Sequence, residues 1–141
     1  MTWERISTEL GRGAAVTVSW RIPGGRCTPA MALSLSKAVC AQLGLQRRGT
    51  GEPPTRVYVE RDRLAGKVRV QLAPKTAARH ECRAAAWKDG SCTITVPLDD
   101  VKLAEKKPAQ DVPWSIEGGW LVAKLPHWAC PLVQVSGGRA A

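Results

Sequence analysis

The 141 residues suffice for one compact domain, and 44% apolar with 23% charged residues is ordinary globular composition, which excludes a fibrous or low-complexity chain. The formal charge is +9 and uneven: residues 1–75 carry 13 Lys/Arg against 5 Asp/Glu, and residues 76–141 carry 8 against 7. A one-sided basic field implies an anionic partner, nucleic acid first.

Residues 1–13 read as a polar arm with Gly11-Arg12-Gly13 and a short strand near Ile6. From residue 15 to 22, Val16, Val18, Trp20 and Ile22 alternate with Thr17, Ser19 and Arg21, the period-two pattern of a half-buried strand. Pro23-Gly24-Gly25-Arg26 is a turn signal. Met31, Leu33 and Leu35 alternate next, giving a second strand. Ser36 is suited to cap a short helix that runs through Leu43, with Val39, Cys40 and Leu43 as its apolar stripe and Gly44 as its stop.

A polar connection, residues 46–54, carries Arg47 and Arg48. The alternating runs around Val57–Val59 and Val68–Leu72 then form a hairpin about residues 63–67. The same order recurs. Residues 79–88 make a strand, Asp89-Gly90 is the strongest short hairpin signal, and Cys92, Ile94 and Val96 return. A second short helix is expected over Leu98–Lys106, closed by Pro108. A hairpin at 112–125 turns at Glu117-Gly118-Gly119, and a last strand is expected at Leu132–Val135.

Two units therefore follow one another, 15–74 and 79–126, each strand, turn, strand, helix, hairpin. A lone unit of this size cannot bury its apolar face; two that interleave strands can close a small barrel. In the first unit Arg21, Gly25, Arg26, Leu33, Leu35, Leu43 and Gly44 fall in a fixed order. In the second, Lys88, Gly90, Ile94, Val96 and Pro97 repeat it. This order resembles the swapped-hairpin fold of the AbrB, SpoVT and MazE families over roughly residues 15–126. The resemblance implies a mainly β, pseudo-twofold swapped-hairpin barrel with two short helices, here fused in one chain. It also implies a DNA-facing surface on the first strands and their loops, hence Arg21, Arg26, Arg47 and Arg48. The chain carries Ala41 and Gln42 where the family has paired arginines late in the helix.

Catalytic chemistry finds little support. Only two histidines exist, His80 and His127, and neither sits in a nucleophile–base pattern. The five cysteines, Cys27, Cys40, Cys82, Cys92 and Cys130, are odd in number and widely spaced, which argues against a disulfide framework and a zinc site. Asp99-Asp100 reads as favourable charge at a helix start.

The binding candidates are Arg21, Arg26, Arg47, Arg48, Arg56, Arg61, Arg63, Lys67 and Arg69, since the planar guanidinium suits phosphate and guanine. Trp20, Trp87, Trp114 and Trp120 read as core, and Trp3 and Trp128 as partner contacts. The expectation is a non-enzymatic, cytoplasmic DNA-binding regulator of transcription, without cofactor or membrane span, of the kind a phage or mobile element encodes. It would be a monomeric pseudo-dimer or a homodimer. The alternatives are a protein-binding inhibitor or antitoxin, an anti-CRISPR for example, and a single-strand nucleic-acid binder that stacks bases on Trp.

Overall fold

A computed structural model describes residues 15–23 and 28–131. The expected alternation of β1 (Val16–Arg21) holds in part: Val16, Val18 and Trp20 are buried and Arg21 is exposed, but Ser19 is also buried and Ile22, past the strand's end, is exposed. Its partner β2 (Ala30–Leu35) lies between β1 and β6 and is buried at every position but Ser34. The helix α1 (Lys37–Leu43) starts where Ser36 Oγ accepts the Val39 N–H at 3.3 Å and ends at Gly44, whose φ of 74° suits a residue without Cβ. Leu45 N–H then closes on Cys40 O at 2.9 Å.

The strands β3 (Arg56–Asp62) and β4 (Lys67–Leu72) form the expected hairpin in unbroken register from Val57↔Leu72 to Asp62↔Lys67. The second hairpin, β5 (Arg83–Lys88) and β6 (Ser91–Val96), turns at Asp89 (φ 53°) and Gly90 (φ 84°), two left-handed residues in succession, as its Asp-Gly pair demands. Three strands complete the fold: β7 (Lys107–Asp111), β8 (Trp114–Glu117) and β9 (Trp120–Lys124).

The nine strands of the described residues pair antiparallel in the order β7-β1-β2-β6-β5-β3-β4-β9-β8, a curled half-barrel. The two end strands, β7 and β8, are consecutive in the chain and separated only by Val112 and Pro113. Val112 N–H donates to Val16 O on one side, and Pro113 O accepts Lys124 N–H on the other. One bent segment thus borders both ends of the sheet. The interior is layered by register: Leu33 lies between Val18 and Ile94, all three fully buried. Val57, Val68, Val70, Leu121 and Ala123 continue the same core.

Two expectations fail. The segment 98–106 holds no helix. It forms one turn, closed by Val101 N–H on Leu98 O at 3.1 Å, with Val101 driven into the core. Asp100 turns away from any helix start toward Arg61. Among the described residues α1 is the only α-helix; Arg79–Glu81 and His127–Ala129 are single 3-10 turns. The first of these also shortens the strand expected at 79–88 to β5. The segment Lys107–Asp111 is a strand despite Pro108, which a sheet edge tolerates. The arm, Gly24 to Cys27 and the tail strand expected at 132–135 lie outside the described residues. No helix among the described residues is long and apolar enough to cross a membrane.

Candidate nucleic-acid interface

The nine candidate cations divide into separate groups. The first group lies after α1. Leu45 is buried and fixes the start of the connecting loop, and buried Thr55 fixes its end by donating its hydroxyl to Gln46 O. Between them Gly49 N–H donates to Glu52 Oε2 at 3.2 Å, and Glu52 N–H donates back to Gly49 O at 3.1 Å. These bonds hold Arg47 and Arg48 at the rim of a cleft of about 290 Å³, whose other walls include Glu52, Pro54, Thr55, Ala85 and Trp87.

Trp87 sits on β5 opposite Cys92 and packs its ring against the core, half-buried. Its Nε1 is buried without a hydrogen-bond partner among the described residues, as are those of the core residues Trp20 and Trp128. Around the same hairpin, the Lys37 side chain lies over the turn, so close that a Cβ on Gly90 would stand 3.2 Å from Lys37 Cδ. Lys88 is exposed at the end of β5. From residue 15 to 59 the described chain carries five cations, Arg21, Lys37, Arg47, Arg48 and Arg56, against a single carboxylate, Glu52. None of the five makes an ion pair among the described residues.

The second group lies on the β3–β4 hairpin and is largely engaged within the protein. Arg61 shares the inward side of β3 with Val57 and Val59. Its guanidinium grips both oxygens of Asp100 at 2.8 and 2.9 Å and donates to Ala129 O at 2.8 Å. Arg63 reaches the same carboxylate at 3.3 Å. Burial pushes the Asp100 carboxyl up, but the Arg61 guanidinium, helped by Arg63, holds it below the usual carboxylate range. Arg69 donates Nε to Glu60 Oε1 at 2.7 Å and lies over the Trp120 ring, 4.1 Å from its centre. Lys67 stands between Asp62 and Lys124 in register. Beside this end a cleft of about 540 Å³ opens between Arg63, Lys124, His127 and Cys130, and burial pushes the Cys130 thiol up.

Of the remaining candidates, Arg21 is exposed at the end of β1 opposite Ala30, and Arg56 is half-buried opposite Ala84. Arg26 and Trp3 lie outside the described residues. The structure therefore brings Arg47 and Arg48 together, and Arg61, Arg63, Lys67 and Arg69 together, but not the nine as one patch. Lys37 and the Trp87 indole were not singled out as contacts by sequence reasoning. The Asp89-Gly90 turn was the available signal, since it places Trp87 and Lys88 beside whatever crosses the hairpin. Trp128 packs on Trp20 with ring centres 5.9 Å apart and planes at 64°, an edge-on core contact. His80 is exposed beside Glu81, at 3.9 Å.

No protein-family model, no curated protein and no solved structure matches this chain.

Proposed function

We propose that this chain is a non-enzymatic nucleic-acid-binding protein, with duplex DNA as its ligand and Arg47, Arg48, Lys37 and Lys88 as its phosphate contacts. One observation carries the reading: two arginines without a carboxylate partner flank a cleft walled by Trp87, in a stretch whose cations outnumber its acids five to one. Two guanidinium groups against the one carboxylate of the cleft, Glu52, beside an indole, suit a polyanion with stackable bases.

The swapped-hairpin reading belongs with this proposal. The hairpins β1–β2 and β5–β6 join through β2 and β6, and the hairpins β3–β4 and β8–β9 join through β4 and β9. Each half thus contributes one hairpin to each side of the sheet, the arrangement that two fused AbrB-like units would give. On this reading the chain is a pseudo-dimer that regulates transcription. The β3–β4 group, with Arg61, Arg63 and Arg69 already held by carboxylates, supports the fold more than it contacts ligand.

The test is binding of labelled duplex DNA, single-stranded DNA and RNA by wild type, Arg47→Ala/Arg48→Ala and Arg69→Ala. The expected order puts duplex first, with a loss of ten-fold or more in the double variant and little change in Arg69→Ala. Retention of one stoichiometric protein partner, with no nucleic acid bound, would replace this reading by the inhibitor or antitoxin.

A further inference from the structure

Two thiols outside the basic cleft meet in the core. Cys40 lies in the middle of α1 and Cys92 near the start of β6, 52 residues apart in the chain, yet their sulfurs are 3.6 Å apart. Each residue is 2% exposed. Cys40 Sγ lies within hydrogen-bonding distance of Cys92 Sγ and, at 3.8 Å, of Leu35 O. A disulfide is about 2.05 Å long, so the two sulfurs, 3.6 Å apart, need to approach by roughly 1.5 Å. The helix α1 has seven residues, too few to stand alone in water, so only its packing and caps hold it.

We propose that Cys40 and Cys92 are an oxidation site, at which hydrogen peroxide converts the thiol pair into a disulfide joining α1 to β6. Cys40 is the attacking sulfur. Its thiolate is favoured by the hydrogen bond from Cys92, whereas that same neighbour and burial push the Cys92 thiol up. The Cys40 thiolate attacks one peroxide oxygen and the O–O bond breaks. Cys40 becomes a sulfenic acid, and the departing oxygen leaves as water after taking up a proton. The Cys92 sulfur then attacks the Cys40 sulfur, the S–S bond forms, the S–O bond breaks, and the Cys92 proton leaves with the hydroxyl as a second water. Two thiols are oxidised and one peroxide is reduced.

The linkage ties the helix that leads into Arg47 and Arg48 to the strand that faces Trp87, across Cys92↔Trp87. It also spans 52 residues, so it removes much of the freedom of the unfolded chain. The proposal stands on the thiol geometry and needs no assumption about the ligand.

The experiment treats the reduced full chain with hydrogen peroxide, blocks remaining thiols and maps tryptic peptides. Peptides 38–47 and 89–102 carry these two cysteines. The expected product is that one peptide pair, two hydrogens lighter than its reduced parts, with a Tm raised on the order of 10 °C. Cys40→Ser and Cys92→Ser lose the pair, and Cys82→Ser keeps it; should either serine variant unfold, the wild-type map decides alone. Recovery of both peptides as free thiols, Cys40 found as sulfinic acid, or either cysteine linked elsewhere would overturn the proposal.

Discussion

Replacing Asp100 by Ala removes the carboxylate that closes the far end of the half-barrel. Arg61 loses two hydrogen bonds, of 2.8 and 2.9 Å, and keeps the one to Ala129 O. The side chains are 18% and 26% exposed, so the guanidinium cannot simply rehydrate. Exposed ion pairs contribute at most about 1 kcal/mol, and breaking a fully buried pair costs about 3–5 kcal/mol. A partly buried bidentate pair falls between, at about 2 kcal/mol. With a urea slope of about 2 kcal/mol/M, the unfolding midpoint should fall by roughly 1 M. Arg61→Met should cost a similar amount, and the double variant much less than the sum. Arg63→Ala should cost under about 0.5 kcal/mol, because Arg63 is 41% exposed and 3.3 Å from the carboxylate. Because the folded-state pKa of Asp100 lies below its unfolded value, its stabilisation is present above pH ~4 and is lost as pH falls through the folded value. The deficit of Asp100→Asn should therefore shrink in acid. A midpoint unchanged by Asp100→Ala, or a deficit that persists undiminished at pH 2, would refute this account of Arg61.

Leu33→Ala should cost about 3–5 kcal/mol by chemical denaturation, since Leu33 is fully buried between Val18 and Ile94. Ser36→Ala should cost about 1 kcal/mol through the lost cap on Val39 N–H, and Gly44→Ala about 1 kcal/mol through the strained φ of 74°, both read by thermal melting. Asp89→Pro should disrupt the β5–β6 hairpin, since the ring cannot adopt the positive φ found there, and circular dichroism should report lost strand content.

The parts of the fold legible in the sequence are those whose signals are local. The alternation of Val16, Val18 and Trp20, the Ser36 cap, the Gly44 stop and the Asp89-Gly90 turn each act within a few residues. The second helix expected at 98–106 was drawn by repeat analogy, and the segment instead makes one turn that buries Val101. The strand Lys107–Asp111 lacks apolar alternation and contains Pro108; only its pairing with β1 makes it a strand. Nor did the sequence show what Arg61 does, because its partner Asp100 lies 39 residues away and is brought near only by the curl of the sheet. Trp128 looked free because it follows the last hairpin. The 3-10 turn at His127–Ala129 instead seats it on Trp20. The basic cleft was half legible: Arg47 and Arg48 stood out by charge, and the nearness of Trp87 needed β5 to run past the loop.

The most direct measurement is the affinity for a fluorescent duplex as a function of salt concentration, for wild type and Arg47→Ala/Arg48→Ala. Four phosphate contacts, from Lys37, Arg47, Arg48 and Lys88, should give a slope of log K against log salt of about −3.6. The double variant should lose about two units of that slope. Affinity that ignores salt, or a slope that survives loss of both arginines, would contradict the assignment of this cleft to nucleic acid.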